Sequence, residues 1–310
     1  MDRREFLKAM ALAGAAAAVN PSGVGEVLAQ SRTTTGGYPD LVAIMGGSPV
    51  QMLDRVLSEL GGIGRFVKQG MKVTIKPHIG WDRKPEMGAN TNPELVAELV
   101  RKCLSAGASE VLVFDHTCNE WTRCYQNSGI RAAVEEAGGK MVPANSEEYY
   151  REVDLPRGVK LRKAKIHQAI LDSDVWFNVP VVKHHGGAKM TISMKNYMGI
   201  VWDRRVFHST DLQQCIADIN TFSKRPALHI VDCYRSVFQN GPQGKSVDDV
   251  IMLRSLIASA DPVAADTAAL ALFSQAKPVN RETVTHIAKA EALKIGTTDL
   301  QSLNIKRIKL

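Results

Sequence analysis

Short apolar segments alternate with longer amphipathic segments along most of the chain, and this alternation constrains the fold more than any other feature. The apolar segments are rich in β-branched residues, and apolar residues between them recur with the helical period. The pattern predicts an α/β fold over residues 39–310 with a mainly parallel, doubly wound sheet, alternatively arranged as two α/β lobes around a cleft. The predicted strands include LVAIM, KVTI, EVLVF, VWFNVPVV, ALHIV and LRSLIAS.

Local signals indicate where individual helices begin and end. Asn92 and Pro93 precede an apolar-periodic run that Gly107 follows. We therefore expect Asn92 to be the N-cap, Pro93 the first helical residue and Gly107 the stop. Asp261 is expected to cap a late helix, PVAADTAALALFS, in the same way. The polar segment 146–161 predicts an irregular excursion or a hairpin.

The first residues have the order of a secretory signal. DRREFLK contains a twin arginine, an alanine-rich apolar run follows it, and VLA precedes residue 30. This order predicts a Tat signal peptide over residues 1–29, cleaved after Ala29, and a flexible linker over residues 30–38. The alternative is an ordinary amphipathic helix. The signal implies contact with the Tat export machinery, a periplasmic location and no stable membrane span after cleavage.

Charge limits the classes of partner. The chain has 39 Lys and Arg against 32 Asp and Glu, a formal net charge of +7. This balance favours a small anionic ligand or substrate. The basic residues are scattered and aromatic residues are few, so nucleic acid is not an expected partner.

The cysteines exclude compact metal motifs. None of the five forms C-x-x-C, so neither a zinc ribbon nor a ferredoxin-type cluster is indicated. Cys103 and Cys215 lie in helical patterns and are expected to be buried thiols. Cys118 and Cys124 lie close together, and for them both a disulfide and free thiols in a plain loop stay open.

Titratable side chains follow the predicted strands. In doubly wound sheets, ligands bind beyond the carboxyl ends of the strands, so these side chains are expected to converge on one crevice. They are Lys76 and His78 after the second strand, Asp115 and His116 after the third, Lys183, His184 and His185 after VWFNVPVV, Asp232 after ALHIV, and Asp261 after the last strand.

The segment KHHGGAKMTISMKN, residues 183–196, carries the densest group of candidates. Its glycine pair permits close approach of the backbone to a ligand, and Lys195 and Asn196 lie at its end. Arg205 and His208 follow just before a helix that begins near Asp211. Lysine, arginine and backbone amides suit a carboxylate or phosphate, whereas imidazoles suit a metal or proton transfer. The alternative is a solvated basic loop.

These patterns define a set of predicted site residues. The expected catalytic residues are His185, Lys195 and His208. The expected cofactor-binding residues are Lys76, Lys183, His184, Asn196 and Arg205, and the expected metal ligands are His78, His116, His185 and His208.

Several motifs together resemble the domain-of-unknown-function family 362. They are TNPELV after KPH, the run K-H-x-G…T…K-N-x-x-G, R-x-F-H, VDCYRSVFQNGP and SADPVAAD, and they extend over roughly residues 40–309. Members commonly occur with ferredoxin-like iron–sulfur modules, so the resemblance implies an iron–sulfur redox partner. The chain itself lacks the C-x-x-C-x-x-C pattern of such a module.

A more distant resemblance is to the nickel-pincer lactate racemases. Their motif has a catalytic histidine, a glycine-rich turn, a lysine that holds the pincer cofactor and a later histidine that binds nickel. His185, Lys195 and His208 stand in that order here. The resemblance implies a cofactor with a metal ion, nickel or iron.

The leading hypothesis is an exported periplasmic enzyme, dependent on a metal or cofactor, that performs redox or proton-transfer chemistry on a small anionic substrate. Two alternatives stay open. One is a periplasmic protein that binds an anion or metal without catalysis. The other is an electron-transfer or maturation partner of an iron–sulfur protein, in which Cys118, Cys124 and Cys233 converge.

Overall fold

A computed structural model describes residues 37–310, and twelve β-strands lie in that part of the chain. The predicted signal of residues 1–29 and most of the predicted linker lie outside the described residues. The strands are β1 Leu41–Met45, β2 Lys72–Pro77, β3 Glu110–Val113, β4 Lys140–Met141, β5 Tyr150–Asp154, β6 Lys163–His167, β7 Val175–Val179, β8 Lys183–His185, β9 Lys189–Thr191, β10 Leu228–Val237, β11 Val250–Ser259 and β12 Ile305–Lys309.

Ten α-helices lie in the same described range. They are α1 Pro49–Glu59, α2 Pro93–Ser105, α3 Trp121–Asn127, α4 Ile130–Glu136, α5 Gln168–Leu171, α6 Ser193–Asn196, α7 Arg205–Ser209, α8 Leu212–Ile219, α9 Pro262–Ala276 and α10 Thr285–Ala292. The predicted caps are confirmed: the Asn92 side chain accepts from Glu94 N at the start of α2, and Asp261 accepts from Val263 N and Ala264 N at the start of α9. None of the helices within residues 37–310 is long and apolar enough to cross a membrane.

Eight strands form one sheet in the order β12-β1-β11-β10-β7-β2-β3-β4. Seven of them run in one direction, and only β11 runs antiparallel to its neighbours β1 and β10. The predicted mainly parallel α/β sheet is therefore confirmed, as a single sheet. Because β11 is reversed, Asp261 at its end lies at the edge opposite to the carboxyl ends of the parallel strands.

Both faces of the sheet are buried. Alternate residues of β1 belong to different cores: Val42 and Ile44 pack with α1 and α2, whereas Leu41, Ala43 and Met45 pack on the side of α8, α9 and α10. This two-sided burial follows from the period of two along a strand and explains the continuous apolar strand sequences.

The hairpin predicted as one of two alternatives for the polar segment 146–161 is present, whereas a second hairpin and an edge strand were not predicted. The polar excursion and the residues after it form the hairpin β5–β6, and residues 183–191 form the hairpin β8–β9 rather than a loop. Strands of three residues give too few positions for the period of two to show in the sequence. β12 pairs in parallel with β1 at the sheet edge.

Helix α6 is held by a carboxylate from another helix. Asp266 of α9 is fully buried, and its oxygens accept from Ser193 N at 2.7 Å and from Met194 N at 3.1 Å. These amides at the start of α6 lack partners within their own helix, so Asp266 replaces an N-cap side chain. Burial raises the pKa of Asp266 to about 7 despite these bonds. The position of α6, and of Lys195 and Asn196 on it, depends on this contact.

Replacing Asp266 with Ala is expected to lower the free energy of unfolding by at least about 2 kcal/mol, because two buried amides lose their acceptor. Urea unfolding followed by circular dichroism measures the loss. Asp154→Ala removes an exposed aspartate and is expected to change stability by less than about 0.5 kcal/mol. Equal effects of the two substitutions would show that Asp266 does not hold α6.

Candidate active site

A cavity of about 960 Å³ lies at the carboxyl ends of β2 and β3 and beside the hairpin β8–β9. It is the place where a doubly wound sheet binds ligands. Nearly all of the residues predicted from the sequence line it: Lys76, His78, His116, Lys183, His185, Lys195, Asn196, Arg205 and His208.

A buried ion pair joins the ends of β2 and β3 at the floor of the cavity. Lys76 Nζ lies 2.9 Å from Asp115 Oδ1, and both side chains are almost fully buried. The contact lacks hydrogen-bond geometry, so Oδ1 has no hydrogen-bond donor, while Oδ2 accepts from Ile79 N at 2.7 Å. Burial lowers the pKa of Lys76, and the Asp115 charge opposes that shift. The pair neutralises one of the cationic groups of the cavity.

Asn196 connects this pair to His78. Its Oδ1 accepts from Lys76 Nζ at 2.6 Å and from His78 Nδ1 at 3.2 Å, while its Nδ2 donates to Asn178 Oδ1. The network therefore assigns the proton of His78 to Nδ1, and Nε2 is an acceptor. Burial lowers the pKa of His78 well below its usual value, and the charge of Lys183 lowers it further.

Lys183 is the most deeply placed amine. It has no exposed surface, and it donates to His78 Nε2 at 3.0 Å and to the carbonyl oxygen of Ala89 through a second contact. Burial lowers the pKa of Lys183 well below its usual value, and the charge of Lys195 adds to this effect. Lys183, expected only to bind a cofactor, is thus a structural part of the cavity floor.

Lys195 is the least buried of the three lysines at the cavity floor. It is only partly buried, and its one hydrogen-bond contact is to Met198 Sδ at 3.6 Å. Burial lowers the pKa of Lys195 to about 8, and the charges of Arg204 and Lys76 contribute to the decrease. Lys195 therefore faces the cavity without a carboxylate partner among the described residues.

His185 is held as a neutral hydrogen-bond donor. Its Nδ1 accepts from Ala188 N at 3.0 Å, which assigns the proton to Nε2. Burial lowers the pKa of His185 to about 2, and the charges of Lys195 and Lys183 lower it further. A protonated ring would place two donors, Nδ1–H and Ala188 N–H, against each other. His185 is therefore suited to donating a hydrogen bond to a ligand rather than to accepting its proton.

His116 and His208 lie on the outer wall. His116 Nδ1 donates to Val201 O at 2.8 Å, and its ring stacks on Trp202 with centroids 5.1 Å apart. Burial lowers the pKa of His116 to about 4. His208 on α7 is exposed, and partial burial together with the charge of Lys195 lowers its pKa.

Arg204 makes more hydrogen bonds in the wall of the cavity than the predicted Arg205. Its guanidinium donates to the backbone oxygens of His116 and Thr117 at 2.7 and 2.6 Å and to Cys118 Sγ at 3.4 Å. Arg205 lines the outer rim with an almost fully exposed side chain that pairs with Asp203. Adjacent residues at a helix start point about 100° apart, so only one of the two arginines can face the cavity. The sequence RR at 204–205 does not show which one it is.

His184 does not line the cavity, contrary to its predicted role. It lies between Lys183 and His185 on β8, and side chains alternate across a strand, so its ring lies on the other side of the hairpin. There His184 Nδ1 accepts from Gly241 N at 3.1 Å. Asp232 is also directed elsewhere: it accepts from Asn92 N and Tyr234 N, and it supports the start of α2.

The donor set does not fit a bare metal cation. In residues 37–310, no three His, Cys, Asp or Glu side chains come together as metal ligands, so the four predicted histidines do not form a common site. Hydrogen bonds occupy both ring nitrogens of His78 and one each of His116 and His185. Neighbouring amines also repel a cation. The cavity is built for negative charge.

The cysteines do not converge either. All five are free thiols in the structure. Cys118 lies exposed at the cavity, whereas Cys124 is buried and contacts Gly80 O, and Cys233 is buried in β10. The disulfide between Cys118 and Cys124 is therefore not formed here, and an iron–sulfur redox partner stays a prediction.

Comparison with known families agrees with the sequence motifs. Residues 73–271 match the family described as domain of unknown function, DUF362. This match covers more than half of the chain, which therefore belongs to the DUF362 family, as its motifs predicted.

Individual relatives are more distant. A thylakoid-associated protein of Synechocystis is 28% identical over 155 residues, which are 50% of this chain and 47% of that protein, so the match spans about half of the relative. The lactate racemase apoprotein of Thermoanaerobacterium thermosaccharolyticum has a TM-score of 0.46 at 12% identity, over 73% of this chain and 56% of the other. A protein from Thermotoga maritima has a TM-score of 0.47 at 15% identity, over 74% and 59%. Structural likenesses of this size carry no argument about activity.

The buried ion pair requires glycine at position 199. A Cβ at Gly199 would lie 1.9 Å from Asp115 Oδ1 and 2.5 Å from Lys76 Nζ. Gly199→Ala is expected to separate the pair and lower the free energy of unfolding by about 1–3 kcal/mol, measured by urea unfolding. Gly186→Ala is the matched control, since a Cβ there meets open space. A Gly199→Ala protein as stable as the control would contradict this role of Gly199.

Proposed function

We propose that this DUF362 protein is an exported enzyme that binds a small organic anion in the cavity at the strand ends and transfers protons or electrons there. One observation carries the proposal. Seven cationic side chains line the cavity, and three of them, Lys163, Lys165 and Arg205, pair with carboxylates at the rim. The other four share a floor at which Asp115 is the carboxylate: Lys76, Lys183, Lys195 and Arg204.

The excess of positive charge at the cavity floor favours an anion as the ligand. Several like charges that share a partly buried site repel one another, and burial adds a further cost for each charge. Both costs decrease when a carboxylate or phosphate enters beside Lys195. Glu147 and Glu152 lie at the rim, where each already pairs with a lysine of β6, so they do not neutralise the floor. A cofactor suited to this cavity carries negative charge of its own.

The neutral imidazoles favour an enzyme over a simple binding protein. Electrostatic capture of an anion needs only lysine and arginine, yet His78, His116 and His185 line the same cavity with fixed tautomers. His116 Nε2 makes no hydrogen bond within the described residues, so its lone pair is open to a ligand that donates a hydrogen bond. His185 Nε2–H supplies a donor for an oxygen on which negative charge develops.

The location rests on the amino terminus and agrees with the absence of a membrane-crossing helix in residues 37–310. We place the mature protein in the periplasm, where the Tat machinery delivers it folded. The relative in Synechocystis carries a thylakoid-associated description, and a peripheral association with a membrane is compatible with a chain of this kind.

Removing the amine of Lys195 is expected to weaken binding of acetate, oxalate, pyruvate or phosphate. Lys195→Met should raise the Kd of the tightest of these anions about 10-fold or more, the value of a lost hydrogen bond to a charged group. Isothermal titration calorimetry measures the Kd. Lys245→Met removes an exposed lysine that does not line the cavity and should leave the Kd unchanged. Equal Kd values for the two variants would contradict the proposed anion site.

Export depends on the twin arginine. Replacing Arg3 and Arg4 with Lys is expected to leave the chain in the cytoplasm as a precursor, because the Tat route reads that pair. Cell fractionation with immunodetection locates the protein, and amino-terminal sequencing of the exported form should start at Gln30. A double-lysine variant that is exported and cleaved as efficiently as the unaltered chain would refute a Tat signal.

A further inference from the structure

Five lysine amines line the cavity. Lys163 and Lys165 at the rim pair with carboxylates, and the three amines at the floor differ in how their hydrogen atoms are used. Lys76 is paired with Asp115 and Asn196, and Lys183 donates to two acceptors, His78 and Ala89. Lys195 contacts only the thioether of Met198, which is a weak acceptor. Among the described residues, Lys195 is thus the cavity amine whose nitrogen has no oxygen or nitrogen partner.

Access also singles out Lys195. Lys76 and Lys183 are 1% and 0% exposed, so their side chains present almost no surface to an incoming ligand. Lys195 is partly exposed to the cavity, and its backbone is fixed because Asp266 holds the start of α6. A reactive group needs both access and a fixed position.

The surroundings favour the neutral form of this amine. Lys76 and Arg204 lie near Lys195, and their charges, together with burial, lower its pKa to about 8. A larger fraction of Lys195 than of a surface lysine is therefore unprotonated near neutral pH. An unprotonated primary amine is a nucleophile toward carbonyl carbon, which an arginine is not.

Two hydrogen-bond donors that suit a carboxylate lie on the hairpin β8–β9, which precedes Lys195 in the chain. Thr191 is 2% exposed, lines the cavity, and its Oγ1 has no hydrogen-bond partner. It lies directly opposite Lys183 in the hairpin β8–β9, and His185 lies two residues further along the same face of β8. A buried hydroxyl without a partner costs free energy unless a ligand supplies the missing bond. Thr191 Oγ1–H and His185 Nε2–H suit carboxylate oxygens.

We propose that Lys195 forms an imine with the carbonyl carbon of a small 2-oxo acid, while Thr191 and His185 hold the carboxylate of that acid. The assignment rests on the proposed anion site and adds its substrate class. The lone pair of Nζ attacks the carbonyl carbon, and the carbonyl π electrons move to oxygen. That oxygen leaves as water with the two hydrogens of the amine, and the C=N bond replaces C=O without any oxidant or reductant.

Reductive trapping tests the imine. The exported chain is incubated with pyruvate and sodium cyanoborohydride, digested and mapped by mass spectrometry. We expect a carboxyethyl group on Lys195 at a yield at least about tenfold above that on surface lysines such as Lys245, because its lower pKa leaves more of it unprotonated at pH 7. Acetate, which has an anionic group but no ketone, should leave no adduct.

Lys195→Arg separates the imine from anion binding. It keeps the positive charge, so calorimetry should show pyruvate binding within about threefold of the unaltered chain, whereas the adduct at position 195 should disappear. Lys245→Arg is the control and should keep the adduct on Lys195. If the Lys195→Arg chain does not fold, peptide mapping of the unaltered chain still shows whether Lys195 carries the adduct.

The outcomes separate the two proposals. Pyruvate binding without an adduct on Lys195, or an adduct confined to Lys76, Lys183 or surface lysines, overturns the imine and leaves the anion site standing. Absence of any anion binding overturns both. An adduct on Lys195 that excess oxalate suppresses supports both, since oxalate competes for the carboxylate donors.

Discussion

The contact between Lys76 and Asp115 is the constraint on which the site depends. Each strand end supplies one charge, and burying either charge alone costs several kcal/mol, so the two strands must keep their register for the pair to form. The pair in turn requires Gly199 above it and Asn196 beside it, both on the segment that follows the hairpin β8–β9. One buried ion pair thus fixes how the helix that bears Lys195 lies against the sheet.

That arrangement stores unfavourable electrostatics. Only one of the lysines at the cavity floor has a carboxylate partner, and their mutual repulsion and burial lower the pKa values of Lys183 and Lys195. Hydrogen bonds outside the cavity offset this electrostatic cost. Asp266, for example, accepts hydrogen bonds from two backbone amides of α6. Perturbed pKa values that cluster in one cavity are typical of functional sites, and this clustering supports the proposed function.

The sequence predicted much of this site because its signals were local. Cap residues such as Asn92 and Asp261 were recognisable, and the polar residues after parallel strands, Lys76 and His78, had to meet at one sheet edge. The residues that were placed wrongly depended on the direction of a side chain or of a strand. The prediction for His184 was wrong because no strand was predicted at residues 183–185. The alternation of side chains along β8, which places His184 on the other side of the hairpin, was therefore not recognised. Asp261 lies at the far edge because β11 is reversed, and strand direction is not encoded in any single segment.

The histidines of the cavity are neutral because they are buried and because positive charges surround them, and this neutral state determines which hydrogen bonds they can make. Burial lowers the pKa values of His78 and His185, and the nearby lysine charges lower them further, so both rings stay uncharged. His185 then donates through Nε2, because Ala188 N occupies its other nitrogen, whereas Nε2 of His116 is free to accept a hydrogen bond from a ligand. Under the proposed function, negative charge that develops on a bound ligand would meet positive charges already fixed in the cavity.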